Sequence, residues 1–258
     1  MVLLAALAGL ALGGHARAQA AFDPARLASV SAPPFARAPM DLAFRDQHGA
    51  TVTLRQLAAG KPLVIAPVQH ECRNLCGLTL EALRRSLSGL PLRPGADFTL
   101  VALGIDPRET PADAARSAQR LGGAASPGVE ALVGSPAADA RLTGALGYRY
   151  SWMAATGQYA HMAAVAVLTS DGRLVRWLPG LGIKPAELQA ALNEAQRGET
   201  PGLADQIRLL CFHFDPATGR YSLAIWRVLR WMAAGAATVV LGGVALAFWR
   251  ERRMGAVR

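Results

Sequence analysis

Two cysteines, Cys72 and Cys76, stand four residues apart in Glu71-Cys72-Arg73-Asn74-Leu75-Cys76-Gly77. A continuous apolar run, Pro62 to Val68, precedes them, and leucines at helical spacing (Leu78, Leu80, Leu83, Leu87) follow. The pair therefore falls where a buried strand gives way to a helix. In a helical first turn, residues i and i+4 share a face, with Cα atoms about 6 Å apart, within reach of a disulfide. A helix N-terminus also favours the thiolate, and thiolates are the soft ligands that select Cu(I). Spacing alone leaves three chemistries open: a soft metal site, thiol–disulfide exchange, and a plain structural bridge. Tetrahedral zinc needs about four ligands, more than this stretch offers. The third cysteine, Cys211, lies far off in Cys211-Phe212-His213-Phe214. It shares a face with His213 if the segment is extended, which would give a second soft site or an interfacial segment. An odd cysteine count argues against a simple disulfide framework.

The elements that must position the pair follow from periodicity. Leu42–Phe44 and Thr51–Leu54 are short strands around the turn Asp46-Gln47-His48-Gly49. Pro62–Val68 and Phe98–Leu103 are buried strands, and Val129–Val133 is a further strand. Pro111–Leu121, Pro136–Leu146 and Pro185–Gln196 are helices that open on proline, the residue suited to a first turn. Ala163–Thr169 and Leu174–Leu178 form a hairpin through Ser170-Asp171-Gly172-Arg173, since Asp-Gly is a strong hairpin signal. Strands alternating with helices, closed by a hairpin and a helix, make an α/β domain with a mixed sheet.

The chain has 258 residues, 52% hydrophobic and 17% charged. The apolar excess sits at the ends. Residues 1–20 end in Ala18-Gln19-Ala20 and resemble a signal peptide; no charge precedes Arg17, so an uncleaved N-terminal anchor is the alternative. Residues 21–39, rich in alanine and proline, are expected to be a linker. The compact domain spans 40–198 and a juxtamembrane segment 199–230. Residues 231–249 hold no charge between Trp231 and Trp249, the pattern of a transmembrane helix with interfacial aromatics. The tail 250–258 carries Arg250, Arg252, Arg253 and Arg258, which the positive-inside rule places in the cytoplasm. The domain would then face the periplasm from the inner membrane. Net charge is +9, nearly all arginine. The arginines are scattered or gathered beside the apolar C-terminal segment, without a basic stripe, so no nucleic-acid partner is expected.

Taken in order, the motifs resemble the Sco/SenC family of thioredoxin-like copper proteins. That family carries Cys-x-x-x-Cys after its first long central strand, then Asp-Pro-x-x-Asp-Thr-Pro, then a histidine opening the hairpin before the last helix. Here the second motif is Asp106-Pro107-Arg108-Glu109-Thr110-Pro111, with Glu109 in place of aspartate, and the histidine is His161 in Gly157-Gln158-Tyr159-Ala160-His161. Phe44-Arg45-Asp46-Gln47-His48-Gly49 and Gly60-Lys61-Pro62 also fit. The resemblance covers about Asp41 to Arg197. It implies a thioredoxin-like fold, copper as Cu(I) or Cu(II), and Cys72, Cys76 and His161 as ligands. It also implies a metallochaperone for cytochrome c oxidase assembly, with an oxidase subunit and a copper donor as partners. The alternative it implies is a thiol–disulfide oxidoreductase in which Cys72 and Cys76 are the redox pair and reduce the oxidase's copper-ligating cysteines. The family often has proline after each cysteine and aspartate before the histidine; Arg73, Gly77 and Ala160 stand there instead. Met162 is expected to pack in the hairpin, with a soft thioether contact to copper as the alternative, and His70 and Glu71 to flank the site, solvated at the surface or tuning it.

Overall fold

The computed structural model describes residues 27–71, 75–123, 126–200, 212–215, 220–223 and 235. The chain divides into two units, Met1–Thr200 and Pro201–Arg258. In the first, a seven-stranded mixed sheet is built from β2 (Ala43–Asp46), β3 (Thr51–Thr53), β4 (Leu63–Val68), β5 (Thr99–Gly104), β6 (Val129–Val133), β10 (Ala164–Leu168) and β11 (Leu174–Pro179). Its order is β11-β10-β4-β5-β6-β2-β3. The central trio β4, β5 and β6 is parallel, and β10, β11, β2 and β3 flank it antiparallel.

All residues of β4 and of β5 are buried. Successive side chains of a strand point to opposite faces, so such strands need cover on both. Val64, Ala66 and Val68 face a core shared with α2 (Leu75–Ser88), α3 (Pro111–Leu121) and α5 (Pro185–Gln196). Leu63 and Ile65 face a second core with α1 (Leu54–Ala58) and α4 (Pro136–Ala145). The result is a three-layer α/β/α sandwich.

Within residues 40–198 the predicted helices and strands form, with ends shifted by a few residues at most. Leu54, expected to end a strand, instead opens α1. Thr53 caps it: its hydroxyl accepts from Gln56 N–H at 3.2 Å, and Gln56 Oε1 accepts from Thr53 N–H at 2.8 Å. This reciprocal box ends the strand. The stretch expected to be a linker is partly domain. Its β1 (Ser29–Val30) pairs with β7 (Tyr148–Arg149), and Ala36 and Ala38 join the second core. Alanine and proline there pass closely over the sheet edge rather than forming a tether. A small hairpin of β8 (Ser151–Met153) and β9 (Gln158–Ala160) completes the unit.

In the second unit, β12 (Phe212–Asp215) pairs with β13 (Arg220–Leu223), with His213 opposite Ser222. Cys211, residues 1–20 and residues 231–249 except Gly235 lie outside the described residues. Among the described residues, no helix is long and apolar enough to cross a membrane.

Candidate metal centre

Ligands of parallel α/β sheets gather at the carboxyl ends of the strands, and β4 ends at Val68 with Gln69, His70 and Glu71 following. Beside it, β10 runs antiparallel, so the residues just before β10 lie at the same end. The β4–β10 ladder stops at Ile65, opposite Ala166. Pro67 lies just beyond and has no N–H to give to a further rung. The chain ahead of Ala164, which carries His161, is thereby released from the sheet beside the end of β4.

The helix that follows closes on this end. Gly180 N–H donates to the Ala163 carbonyl at 2.8 Å. A Cβ at Gly180 would meet Thr79 Cγ2 at 2.8 Å and the Ala163 backbone at 2.7 Å. Thr79, one turn after Cys76, is thus packed against the segment two residues after His161. Cys76 is the second residue of α2. Cys72 and Arg73 lie outside the described residues, as does the Cys76 side chain. Of the three expected ligands, the structure therefore describes His161 in full and places Cys76 in the helix it was expected to open. Among the described residues no group of three metal-ligating side chains occurs.

His161 is partly buried, and burial holds its imidazole below the ordinary histidine range. A neutral imidazole is the form that ligates a metal. Nδ1 lies 3.1 Å from Tyr148 Oη and 3.3 Å from the Met162 carbonyl. Tyr148 Oη in turn donates to that carbonyl at 2.7 Å. Tyr148 stacks on Trp177 with centroids 5.3 Å apart, and Trp177 Nε1–H donates to the Leu146 carbonyl at 3.0 Å.

The three motif segments are tied to one another. Gln69 Oε1 accepts from Tyr159 N–H at 3.0 Å, joining the cysteine strand to the hairpin before His161. Gln69 Nε2 donates to Asp106 Oδ2 at 3.3 Å, joining both to the Asp-Pro motif. Asp106 is buried, and hydrogen bonds from Arg108 hold its carboxyl below the usual range. Arg108 then lies over the exposed Trp152 ring, 4.2 Å from its centroid. Glu109 Oε1 accepts from Glu71 N–H at 2.9 Å, gripping the residue just before Cys72. Burial, then the nearby Asp106 charge, pushes the Glu109 carboxyl up to about 8. Thr110 and Pro111 start α3, with Asp113 Oδ2 accepting from Thr110 N–H at 2.6 Å. The Asp-Pro motif is thus a turn that holds the cysteine strand from the side.

His70 departs from expectation. It is buried, at 1% exposure, rather than solvated. Nδ1 is 2.8 Å from Ser117 Oγ and Nε2 3.0 Å from the Leu132 carbonyl. A carbonyl can only accept, so Nε2 carries the proton and Nδ1 takes the serine hydroxyl. Burial lowers its basicity. His70 therefore bolts β4 to α3 and β6. Glu71 is exposed as expected and pairs with Arg116. Gln69, Tyr148 and Trp152 belong to no motif in the sequence; only contacts made across the fold reveal them.

The matches to known proteins agree with this frame. The SCO1/SenC family model matches residues 34–197. A crystal structure of a candidate electron transfer protein from Aquifex aeolicus VF5 is 26% identical, with TM-score 0.58, covering 66% of this chain and 96% of that one. Arabidopsis thaliana ScoI with copper bound is 16% identical, with TM-score 0.51, covering 61% and 96%. A SCO1/SenC family lipoprotein from Bacillus anthracis str. Ames is 15% identical, with TM-score 0.52, covering 65% and 98%. The last two show a shared fold, the thioredoxin-like sandwich of Sco proteins. No curated protein matches the chain. The family model spans well over half of the sequence, and the chain belongs to the SCO1/SenC family.

Proposed function

We propose that this chain binds copper through Cys72, Cys76 and His161 and delivers it to a cytochrome c oxidase during assembly. One observation carries the reading: a partly buried histidine, its imidazole held below the ordinary range by burial, stands at the sheet end where the helix bearing Cys76 begins. Two thiolates would supply softness and negative charge for Cu(I), and the imidazole is a ligand either oxidation state accepts. Copper is cargo here, passed to the oxidase subunit by ligand exchange and received the same way from a donor. Copper bound in Arabidopsis ScoI, a protein of this fold, is in keeping with that cargo. A span at 231–249 would hold the domain at the inner membrane, facing the periplasm, where the oxidase lies.

The second reading is a thiol–disulfide oxidoreductase acting on the oxidase's copper-ligating cysteines. Cys76 in a first helical turn favours it, because that position stabilises the attacking thiolate. His161 separates the two. Copper is titrated into the full-length protein and into C72A, C76A and H161A. Loss of tight binding in all three supports the copper site; binding unchanged in all three refutes it. If H161A keeps full disulfide-exchange activity and wild type binds no copper, the oxidoreductase reading takes its place.

A further inference from the structure

Resting on the copper delivery proposed above, we infer that the carboxyl end of the central strands is a docking face, apolar at its centre and cationic at its rim, for an acidic protein partner: the oxidase subunit that takes the copper. Among the described residues four large hydrophobic side chains are exposed, Phe35, Leu78, Trp152 and Leu181. Three of them stand at this end. Leu78 is two residues after Cys76, in the first turn of α2. Leu181 follows Gly180, which is packed against Thr79 and Ala163. Leu78 and Leu181 thus flank one contact. Trp152 lies on the β8–β9 hairpin opposite Tyr159, whose N–H is held by Gln69 just past the end of β4. Its ring carries Arg108, from the turn after β5. One exposed apolar side chain is ordinary. Three that gather at one end, from α2, the hairpin and the loop after β11, are the pattern of an interaction surface.

The charges indicate what covers it. Arg108, Arg116, Arg120 and Lys184 are exposed around these side chains. Most of their carboxylate partners are withdrawn from solvent. Asp106, paired with Arg108, is buried, and Asp113 and Glu187, paired with Arg116 and Lys184, are half-buried. Glu71, also on Arg116, is the exposed one among these partners. No carboxylate pairs with Arg120 among the described residues. Its guanidinium reaches the start of α2, where a Cβ at Gly77 would lie 3.8 Å from Nη1. Glu109 adds no anion at neutral pH, because burial holds it protonated up to about 8. The rim is therefore cationic toward solvent and complementary to an acidic surface. Anionic lipid would suit the same charges, but lipid against this end would cover the site from which copper must leave. A protein that brings its own ligands can cover the site and still receive the copper. Phe35 is the internal control. Its neighbours Ala36 and Ala38 bond to Leu174 and Gly172, at the β10–β11 turn and so at the opposite end of the sheet.

The test is calorimetric titration of the full-length protein, in detergent, with the metal-free copper-accepting subunit of the oxidase from the same cell, at low and high salt. Wild type should bind, and more weakly at high salt. L78S and L181S change only surface side chains and should each weaken binding about tenfold or more, as central anchors do. R120E should weaken it and flatten its salt dependence. F35S should bind as wild type does. Absence of binding by wild type, or L78S and L181S that bind as wild type does, would overturn the inference. Binding indifferent to both salt and R120E would overturn the acidic partner. Self-association of the chain that L181S abolishes would give the face to a second copy instead. Hydrogen exchange at Leu78 and Leu181 N–H should be equal in phosphatidylcholine and phosphatidylglycerol bilayers; protection by phosphatidylglycerol would give the face to lipid and refute the proposal. The copper reading is scored apart from this, by C72A, C76A and H161A. If all three bind copper as wild type does, the copper site fails, while weakened subunit binding in L78S and L181S still supports the docking face.

Discussion

Replacing Asp139 with asparagine is expected to stabilise the protein at neutral and alkaline pH and to leave it unchanged in acid. Asp139 sits in the first turns of α4 at 1% exposure, and its Oδ1 has no hydrogen-bond partner among the described residues. Burial pushes its carboxyl from 3.8 up to about 7. The helix N-terminus favours the anion by only about 0.3–1 kcal/mol, too little to offset desolvation. At 1.36 kcal/mol per pH unit, the charged form is disfavoured in the fold by about 4 kcal/mol at most. The sign follows from linkage. Below pH 3.8 both states are protonated and nothing is lost. Between 3.8 and about 7 the unfolded chain ionises and the folded one does not, so stability falls as pH rises and then levels off. Asparagine cannot ionise, so urea titrations should give equal stability for D139N and wild type near pH 3.5. Across pH 4 to 7 the two should diverge, with the variant ahead by about 2–4 kcal/mol above pH 7. Other groups titrate in both proteins and cancel in the difference. Tyr150 provides a second readout. Burial first, and the Asp139 charge after it, push its phenol to about 12, so D139N should lower it. Curves for the two proteins that run parallel from pH 4 to 8 would refute the reasoning.

Three further outcomes follow from contacts already described. A Cβ at Gly134 would fall 1.9 Å from Asp139 Oδ1, so G134A should destabilise by about 1–3 kcal/mol; in a D139A background, where those atoms are gone, thermal unfolding should show most of that loss abolished. At Gly104 an added methyl would sit 2.8 Å from His70 Nε2 and 3.0 Å from the Leu132 carbonyl. G104A should thus break the His70–Leu132 bond and lower the unfolding midpoint in urea, whereas the exposed G157A, which meets nothing within 4 Å but has a φ of +64°, pays only for its backbone. Glu109 is held protonated up to about 8, so its burden on stability accrues between 4.5 and 8. E109Q keeps an acceptor for Glu71 N–H, should match wild type near pH 4, and should exceed it above pH 8 in the same urea assay.

Most of the sheet and its helices can be read from the sequence because they rest on local signals. Pro111, Pro136 and Pro185 each stand at a helix start, and Asp171-Gly172 turns β10 into β11 with Gly172 at a φ of +89°. Strand β4 is legible for another reason: burial on both faces leaves an unbroken apolar run. Errors arise where tertiary contacts decide. Leu54 fits a strand by composition, yet the Thr53–Gln56 box turns it into a helix. Ala36 and Ala38 resemble linker residues, yet small side chains are what lets the chain lie against the second core. His70 looks like a polar residue beside a surface site, and only the partners Ser117 and Leu132, far along the chain, make its burial affordable.

The site divides along the same line. The proposed ligands are local in type, and the order Cys72, Cys76, His161 is visible in a single strand of text. What the sequence does not display is why three segments so far apart hold one geometry. Gln69 answers that, with one amide that accepts from Tyr159 and donates to Asp106. An amide is suited to this position because it is donor and acceptor at once; a glutamate there would set a second charge against the buried Asp106. Q69E should therefore loosen the hairpin before His161 without touching a proposed ligand. Hydrogen exchange at Tyr159 N–H, whose acceptor is drawn away as the two carboxylates at 69 and 106 repel each other, should rise well above wild type, while exchange in α5, on a different part of the sheet, stays the same. Equal protection of Tyr159 in both proteins would show that the hairpin is held by its own β8–β9 pairing and not by the cysteine strand.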